Sequence, residues 1–213
     1  MTKSIEKLTQ ERSSPPEFQE LIADEERLQE LLEGSHVSTE SWNKEIAWQE
    51  WEQRRRFIAG AIHKDGSILD YGSANGFLLK CFQEWSSHKL EVYGIDIDKS
   101  AIEKAKQLFP SKENHFIKPE ELKNNPEFPN SFDVIYWNVW NNYTFEEKGQ
   151  EKLLKRLLEA TNDDGRLILG FYNEKEENKK IIQRIEHLGY KFSGIQENPN
   201  GGNEIIAWFD KVI

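Results

Sequence analysis

Cysteine and methionine are nearly missing from this 213-residue chain, which holds one of each, Cys81 and Met1. A lone cysteine excludes an intrachain disulfide and a zinc site built on cysteines. Long apolar runs are missing too. No stretch approaches the ~18 apolar residues of a membrane-crossing helix, so no membrane partner is expected. Met1 is followed by Thr-Lys-Ser-Ile-Glu-Lys, with no apolar segment of the kind a secretory signal needs, so a cytoplasmic compartment is expected. Basic residues are in short supply, 28 against 38 acidic ones, for a net charge of −10. A phosphate backbone requires a basic face, so no nucleic-acid partner is expected. The shortage is local: residues 1–40 carry 4 basic and 10 acidic residues, the remainder 24 and 28. Tryptophan, by contrast, is plentiful. Five of the seven fall in two clusters, Trp42, Trp48 and Trp51, then Trp137 and Trp140.

The length fits one globular domain with a terminal extension, and 37% hydrophobic residues suffice for a core. Pro15-Pro16 opens an amphipathic helical stretch, Glu17 to Glu33, with Gly34 at the expected stop. A second helix is predicted from Ser41 to Ile62. We therefore divide the chain into an N-terminal helical extension, 1–40, and a main domain, 41–213, with an entry or lid helix over 41–62. From Ser67 onward, β-rich runs alternate with helical stretches. Strands are predicted at 67–71, 90–95, 115–117, 132–137, 166–172, 191–195 and 204–209, and helices at 75–85, 99–109, 145–161 and 175–188. Such alternation means a parallel sheet covered on both faces. Pro199-Asn-Gly-Gly202 joins the last two strands as a hairpin would, which makes the sheet mixed.

The segment Ile68-Leu-Asp-Tyr-Gly-Ser-Ala-Asn-Gly76 carries the strongest chemical signal. A buried strand runs through a tight turn straight into a helix, and Gly72 and Gly76 let the backbone approach a ligand closely. The turn is expected to deliver helix N-terminal amides to the crevice at the carboxyl end of the strand. Its Gly-x-x-x-Gly spacing is neither the G-x-G-x-x-G of dinucleotide folds nor a P-loop, and it holds no lysine. Asp70 would repel a pyrophosphate and suits a cationic ligand. A second signal is Val92-Tyr-Gly-Ile-Asp-Ile-Asp98. Asp96 closes the second strand, 26 positions after Asp70, where a carboxylate can accept both hydroxyls of a ribose. Asp98 reads as the N-cap of the following helix.

Asp70-Tyr-Gly-Ser-Ala-Asn-Gly76 followed by Gly94-Ile-Asp96 resembles the class I S-adenosylmethionine-dependent methyltransferases, over roughly residues 55 to 213. Phe132-Asp-Val-Ile-Tyr136 resembles that family's fourth-strand motif. Asp163-Asp-Gly-Arg-Leu-Ile-Leu169 resembles its turn into the fifth strand, and the closing hairpin its reversed seventh strand. The resemblance implies an α/β fold, a Rossmann-like three-layer αβα sandwich around a seven-stranded mixed sheet of order 3-2-1-4-5-7-6. It implies S-adenosyl-L-methionine as cofactor and methyl transfer as the activity. Gly72, Ala74 and Gly76 would line its methionine part, and Tyr71 and Asn75 are further cofactor-binding candidates. Asp70 would face the amino group, Asp96 would hold the ribose, and Ile97 would pack on the adenine. Ala74 departs from the family's middle glycine. The acidic residue usual after the third strand is displaced; within Lys118-Pro-Glu-Glu-Leu122, Glu120 or Glu121 would substitute.

Tyr136-Trp-Asn-Val-Trp-Asn-Asn-Tyr143 follows the fourth strand at the carboxyl edge of the sheet, where ligands bind. Asn138 is a cofactor candidate; Trp137, Trp140, Asn141 and Tyr143 are substrate candidates, with core packing the alternative for Trp137. The run lacks the Asn-Pro-Pro-aromatic motif of enzymes that methylate amide or adenine nitrogens. In the pre-core helix, Trp48, Trp51, Arg55, Ile58 and Ile62 share one stripe. Trp42 and Trp48 are substrate candidates. Arg55 is the candidate for the methionine carboxylate, with Arg54 and Arg56 as alternatives. The five histidines are scattered without zinc-like spacing, so no metal is expected. Tyr143 and His36 are candidates for a base, should the acceptor have to lose a proton. The expected protein is a monomer or homodimer that methylates a small molecule. Alternatives are methylation of a protein side chain, cofactor binding without turnover, and a nicotinamide-dependent oxidoreductase.

Overall fold

A computed structural model describes residues 16–35, 42–140 and 142–212. Its helices are α1 (Pro16–Ala23), α2 (Glu25–Glu33), α3 (Lys44–Arg55), α4 (Phe77–Trp85), α5 (Lys99–Leu108), α6 (Lys148–Glu159) and α7 (Lys175–His187). Its strands are β1 (Gly66–Tyr71), β2 (Leu90–Ile95), β3 (Phe116–Ile117), β4 (Phe132–Val139), β5 (Thr161–Phe171), β6 (Gly194–Glu197) and β7 (Ile205–Asp210). The seven strands form one sheet of order 3-2-1-4-5-7-6, as the resemblance implied. β1 to β5 are parallel, and β7 alone runs against them.

Alternating side chains build the layers, because successive residues of a strand face opposite sides. Ile68, Val134, Ile168 and Ile206 pack with Leu79 and Phe82 of α4 and Ile102 and Ala105 of α5. Their neighbours Leu69, Ile135, Leu167, Leu169 and Ala207 pack with Leu154 and Leu157 of α6 and Ile181 and Ile185 of α7. A third cluster lies outside α4. There Leu28, Leu31 and Leu32 of α2 meet Phe18 of α1, Trp51 of α3, and Phe77 and Cys81 of α4.

Several boundaries differ from expectation for local reasons. The stretch predicted as one helix, 17–33, is two, because the side chain of Asp24 accepts the amide of Arg27 and starts a new N-terminus. The predicted 41–62 helix is α-helical only from Lys44, capped by Asn43, to Arg55; Arg56–Ala61 tightens to a 3₁₀ helix. α4 starts at Phe77, since Gly76 is left-handed at φ 76°. β5 begins at Thr161, five residues earlier than expected, and the Asp163-Asp-Gly turn sits within it, with Asp164 at φ 60°.

Candidate functional site

The carboxyl ends of β1, β2 and β4 meet at the glycine turn. Its amides turn inward rather than toward a ligand. The N–H groups of Gly72 and Ser73 donate to the carbonyl of Ile95 at 2.8 and 3.0 Å. That of Ala74 donates to Asp96 Oδ2 at 2.8 Å, and that of Phe77 to Asn75 Oδ1 at 3.2 Å. The amides of Gly72, Ser73, Ala74 and Phe77 are therefore already engaged within the protein. These bonds lock the turn against the end of β2. Asp96 Oδ1 also accepts the amide of Asp98 at 2.9 Å, which fixes the carboxylate at the crevice mouth. Asp98 caps α5 through Ser100, as its position predicts.

Two cavities flank the turn and share Gly72 and Trp140. The first, about 230 Å³, is walled by Trp51, Arg55, Asp70, Ser73, Asn138 and Tyr172 among others. The second, about 390 Å³, is walled by Tyr71, Asp96, Ile97, Pro119, Trp137 and Tyr143 among others. Together they fall in the ~300–1,000 Å³ range of small-ligand sites. Beyond the first lies a third, about 690 Å³, which shares Arg54 and Tyr172 with it and adds Asn173, Glu174, Glu177 and Glu204.

The first cavity holds polar atoms awaiting partners. Asp70 is 2% exposed, and its Oδ1 has no hydrogen-bond partner among the described residues; neither does Oδ1 of Asn138. Burial, reinforced by the charge of Asp96, pushes the Asp70 carboxyl up to about 8. An unpartnered buried acid costs stability and suits a cationic or donor-rich ligand. Opposite it, the Arg55 guanidinium stands 3.8 Å over the ring of Trp51 and 5.2 Å from that of Tyr172. The hydroxyls of Tyr172 and Tyr136 lie 3.0 Å apart, and burial pushes both phenols up. The second cavity is the more apolar: Ile97 is 85% exposed at its rim, over a floor of Trp137.

The structure thus brings Arg55, Asp70, Tyr71, Gly72, Ala74, Asp96, Ile97, Asn138, Trp140 and Tyr143 around one trough. Others are elsewhere. Asn75 is 1% exposed and turns away, donating to the carbonyl of Leu31 at 2.8 Å. Gly76 packs into the core, where an added Cβ would stand 3.2 Å from Ala105 and Phe109. Glu120 turns outward to pair with Lys118, and Pro119 lines the second cavity in its place. The Glu121 carboxylate folds back on the Lys118 amide. Trp42 bonds Glu25 of α2 and packs on the cluster outside α4, while Trp48 packs on Phe18, Phe77 and Trp85. Neither lines any of these three cavities, whereas Trp51, one turn on, lines the first. Trp137 is a core residue, edge-on to Tyr143 at 5.1 Å, and both serve the second cavity, away from the third. Asn141 and His36 lie outside the described residues. Sequence reasoning missed Tyr172 and Ser35 of the first cavity, which no local pattern marks.

Sheet order, glycine turn and the terminal acid of β2 define the class: this is the fold of the class I S-adenosylmethionine-dependent methyltransferases. Residues 62–201 match the sequence model of the methyltransferase domain family, and the chain belongs to that family. No curated protein matches it. Among solved structures it is similar to an S-adenosylmethionine-dependent methyltransferase from Aquifex aeolicus, at 17% identity and TM-score 0.57, over 89% of this chain and 99% of that one. It is similar to a ribosomal protein L11 methylase from Lactobacillus delbrueckii subsp. bulgaricus (17%, TM-score 0.54, 78% and 79%). A third is Aeropyrum pernix fibrillarin in complex with natively bound S-adenosyl-L-methionine (13%, TM-score 0.53, 74% and 76%). At these identities the likeness is one of fold.

Proposed function

We propose that the protein transfers a methyl group from S-adenosylmethionine to a small polar acceptor that enters through the third cavity. The observation that carries this is the run of three adjoining cavities along the carboxyl edge of the sheet, neighbours sharing lining residues, with the unpartnered acid Asp70 in the first. The residues present fit the cofactor. Asp96 keeps one lone pair on each oxygen beyond its two backbone bonds and is assigned to the ribose hydroxyls. Ile97, Pro119 and Trp137 offer an apolar slot for the adenine. Asp70 is assigned to the amino group and Arg55, held by Trp51, to the carboxylate.

The cofactor supplies an already activated methyl group, so the chain's own residues need only align an acceptor and exclude water. Tyr172 stands between the first and third cavities and is placed to orient the acceptor atom. Glu174 and Glu177 line the third cavity, which favours neutral or cationic acceptors over anions. Labelled methyl transfer to amines, thiols and phenols tests this reading, beside calorimetry with S-adenosylhomocysteine. Turnover of at least one of these classes is expected. Asp96→Ala should weaken binding at least tenfold, the scale of one lost charged hydrogen bond. Binding without any turnover supports the alternative, a cofactor-binding protein; absence of binding overturns both.

A further inference from the structure

Asn75 sits inside the glycine turn yet faces away from both cofactor cavities. Its Nδ2 donates to the carbonyl of Leu31 at 2.8 Å, near the end of α2. Its Oδ1 accepts the Phe77 amide at 3.2 Å and lies 2.9 Å from Ser35 Oγ. That hydroxyl, with one proton to give, stands 2.8 Å from the same Leu31 carbonyl. The Asn75 side chain is 1% exposed, so its bonds to Leu31 and Phe77 are made away from water. The approach is close enough to dictate the neighbouring residue: a Cβ on Gly34 would fall 2.6 Å from Asn75 Nδ2. Ser35 in turn lines the first cavity, on the wall shared with Trp51 and Arg55.

We infer that Asn75 is a positioning residue that clamps α1 and α2 to the cofactor turn, so that cofactor binding and docking of this helical pair are coupled. The hydrophobic cluster of Leu28, Leu31, Leu32, Phe77 and Cys81 holds α2 against α4 without specifying its axial position. The two-ended amide of Asn75 specifies it, because Leu31 and Phe77 must both meet one planar group. Ser35 is thereby set at the rim of the first cavity. Coupling of this kind is reciprocal: what α2 gives to the cofactor, the cofactor gives to α2. The clamp acts on the first cavity alone, since neither Ser35 nor any residue of α2 lines the second. The inference rests on assigning the methionine half of the cofactor to the first cavity and the adenosine half to the second.

The test compares S-adenosylhomocysteine, which spans both cavities, with adenosine, which needs only the second. Asn75→Ala should weaken the first about tenfold and leave the second within about twofold. Asn75→Asp separates the clamp from a simple turn cap. It keeps the acceptor for Phe77 and Ser35 but sets a carboxylate against the Leu31 carbonyl. Under the inference it binds S-adenosylhomocysteine as poorly as Asn75→Ala; as a mere cap it would bind like wild type. Ser35→Ala, a milder change, should cost about threefold and carries the test if neither Asn75 variant folds. On the full wild-type chain, saturating S-adenosylhomocysteine should slow amide exchange over 16–35. Equal losses for both ligands, unchanged affinity in folded variants, or unchanged exchange would overturn the clamp. A wild type that binds neither ligand would instead overturn the cofactor assignment.

Discussion

At the scale of single residues, Asp70 and Ala74 are held in states their chemistry disfavours. In the free protein the Asp70 carboxyl titrates near 8 against 3.8 when unperturbed, so between those values the folded state holds a proton that the unfolded state has lost. Stability therefore falls as pH rises from about 4 to about 8, and Asp70→Asn should flatten that slope. A cationic amino group in the cavity favours the ionised acid. Binding of S-adenosylhomocysteine near pH 6.5 should thus expel about one proton, seen as a buffer-dependent heat, and Asp70→Asn should abolish it. Equal heats in buffers of different ionisation enthalpy would refute the placement of Asp70 at the amino group. Ala74, at φ 46°, occupies a conformation that costs an L-residue roughly 1–2 kcal/mol. Glycine there gives back part of the gain in unfolded-state entropy. We expect Ala74→Gly to stabilise by up to about 1 kcal/mol, raising Tm by about 2–4 °C. A lower Tm would show that the Ala74 methyl makes contacts worth more than the strain.

Elements are joined at their amino ends by a different acid. Asp133 of β4 accepts the amide of Ser67 at 2.8 Å and its hydroxyl at 3.0 Å, accepts from Asn162 at 3.2 Å, and pairs with Lys64 at 3.1 Å. Burial pushes its carboxyl up, but the bonds from Ser67, Asn162 and Lys64 outweigh that and bring it down to about 2. The folded value lies below the unfolded one, so the contribution is complete above about pH 4 and disappears as pH falls toward 2. Asp133→Asn should cost about 2 kcal/mol at pH 7. Urea midpoints of variant and wild type should converge near pH 2; a constant gap would assign the effect to packing. The sequence marks Asp133 only as part of the fourth-strand motif and not as a junction, because Lys64, Ser67 and Asn162 reach it only once β1, β4 and β5 are adjacent. Asp70, Gly72 and Asp96 were legible because their chemistry is tied to the ends of consecutive strands. Trp48 was misplaced because a helical stripe tells which residues share a face and not what that face meets. Here Phe18 of α1 and Phe77 and Trp85 of α4 pack on its ring, and the cavity begins at Trp51. Asn75 likewise reads as a ligand because it stands between Ala74 and Gly76, both expected to line the cofactor, yet Ala74 alone of the three lines the first cavity, since a tight turn points successive residues in different directions.

Over the whole molecule, net charge bears on the proposed small acceptor more than any one contact does. The fold also serves a protein methylase and fibrillarin, so architecture alone leaves the acceptor open. A chain of net charge −10 repels a polyanion, and even beyond residue 40 acidic residues outnumber basic ones, 28 to 24. The cavity that would admit an acceptor is lined by Glu174 and Glu177 besides the Arg54–Glu204 ion pair, with Glu177 also paired to Lys180 at 3.4 Å, so its lining offers an anion no unpaired arginine. Counterion release, the main source of RNA affinity, requires several lysines or arginines on one face. We expect no retardation of structured RNA at about 50 mM salt, where such binding is strongest. With labelled S-adenosylmethionine, the label should accumulate in a small-molecule extract and be absent from total RNA in the same mixture. Label in RNA would overturn the small-acceptor proposal while leaving methyl transfer intact. Label in protein would move the acceptor to a polypeptide side chain and demand a lysine- or arginine-bearing segment long enough to reach Tyr172 past the two glutamates.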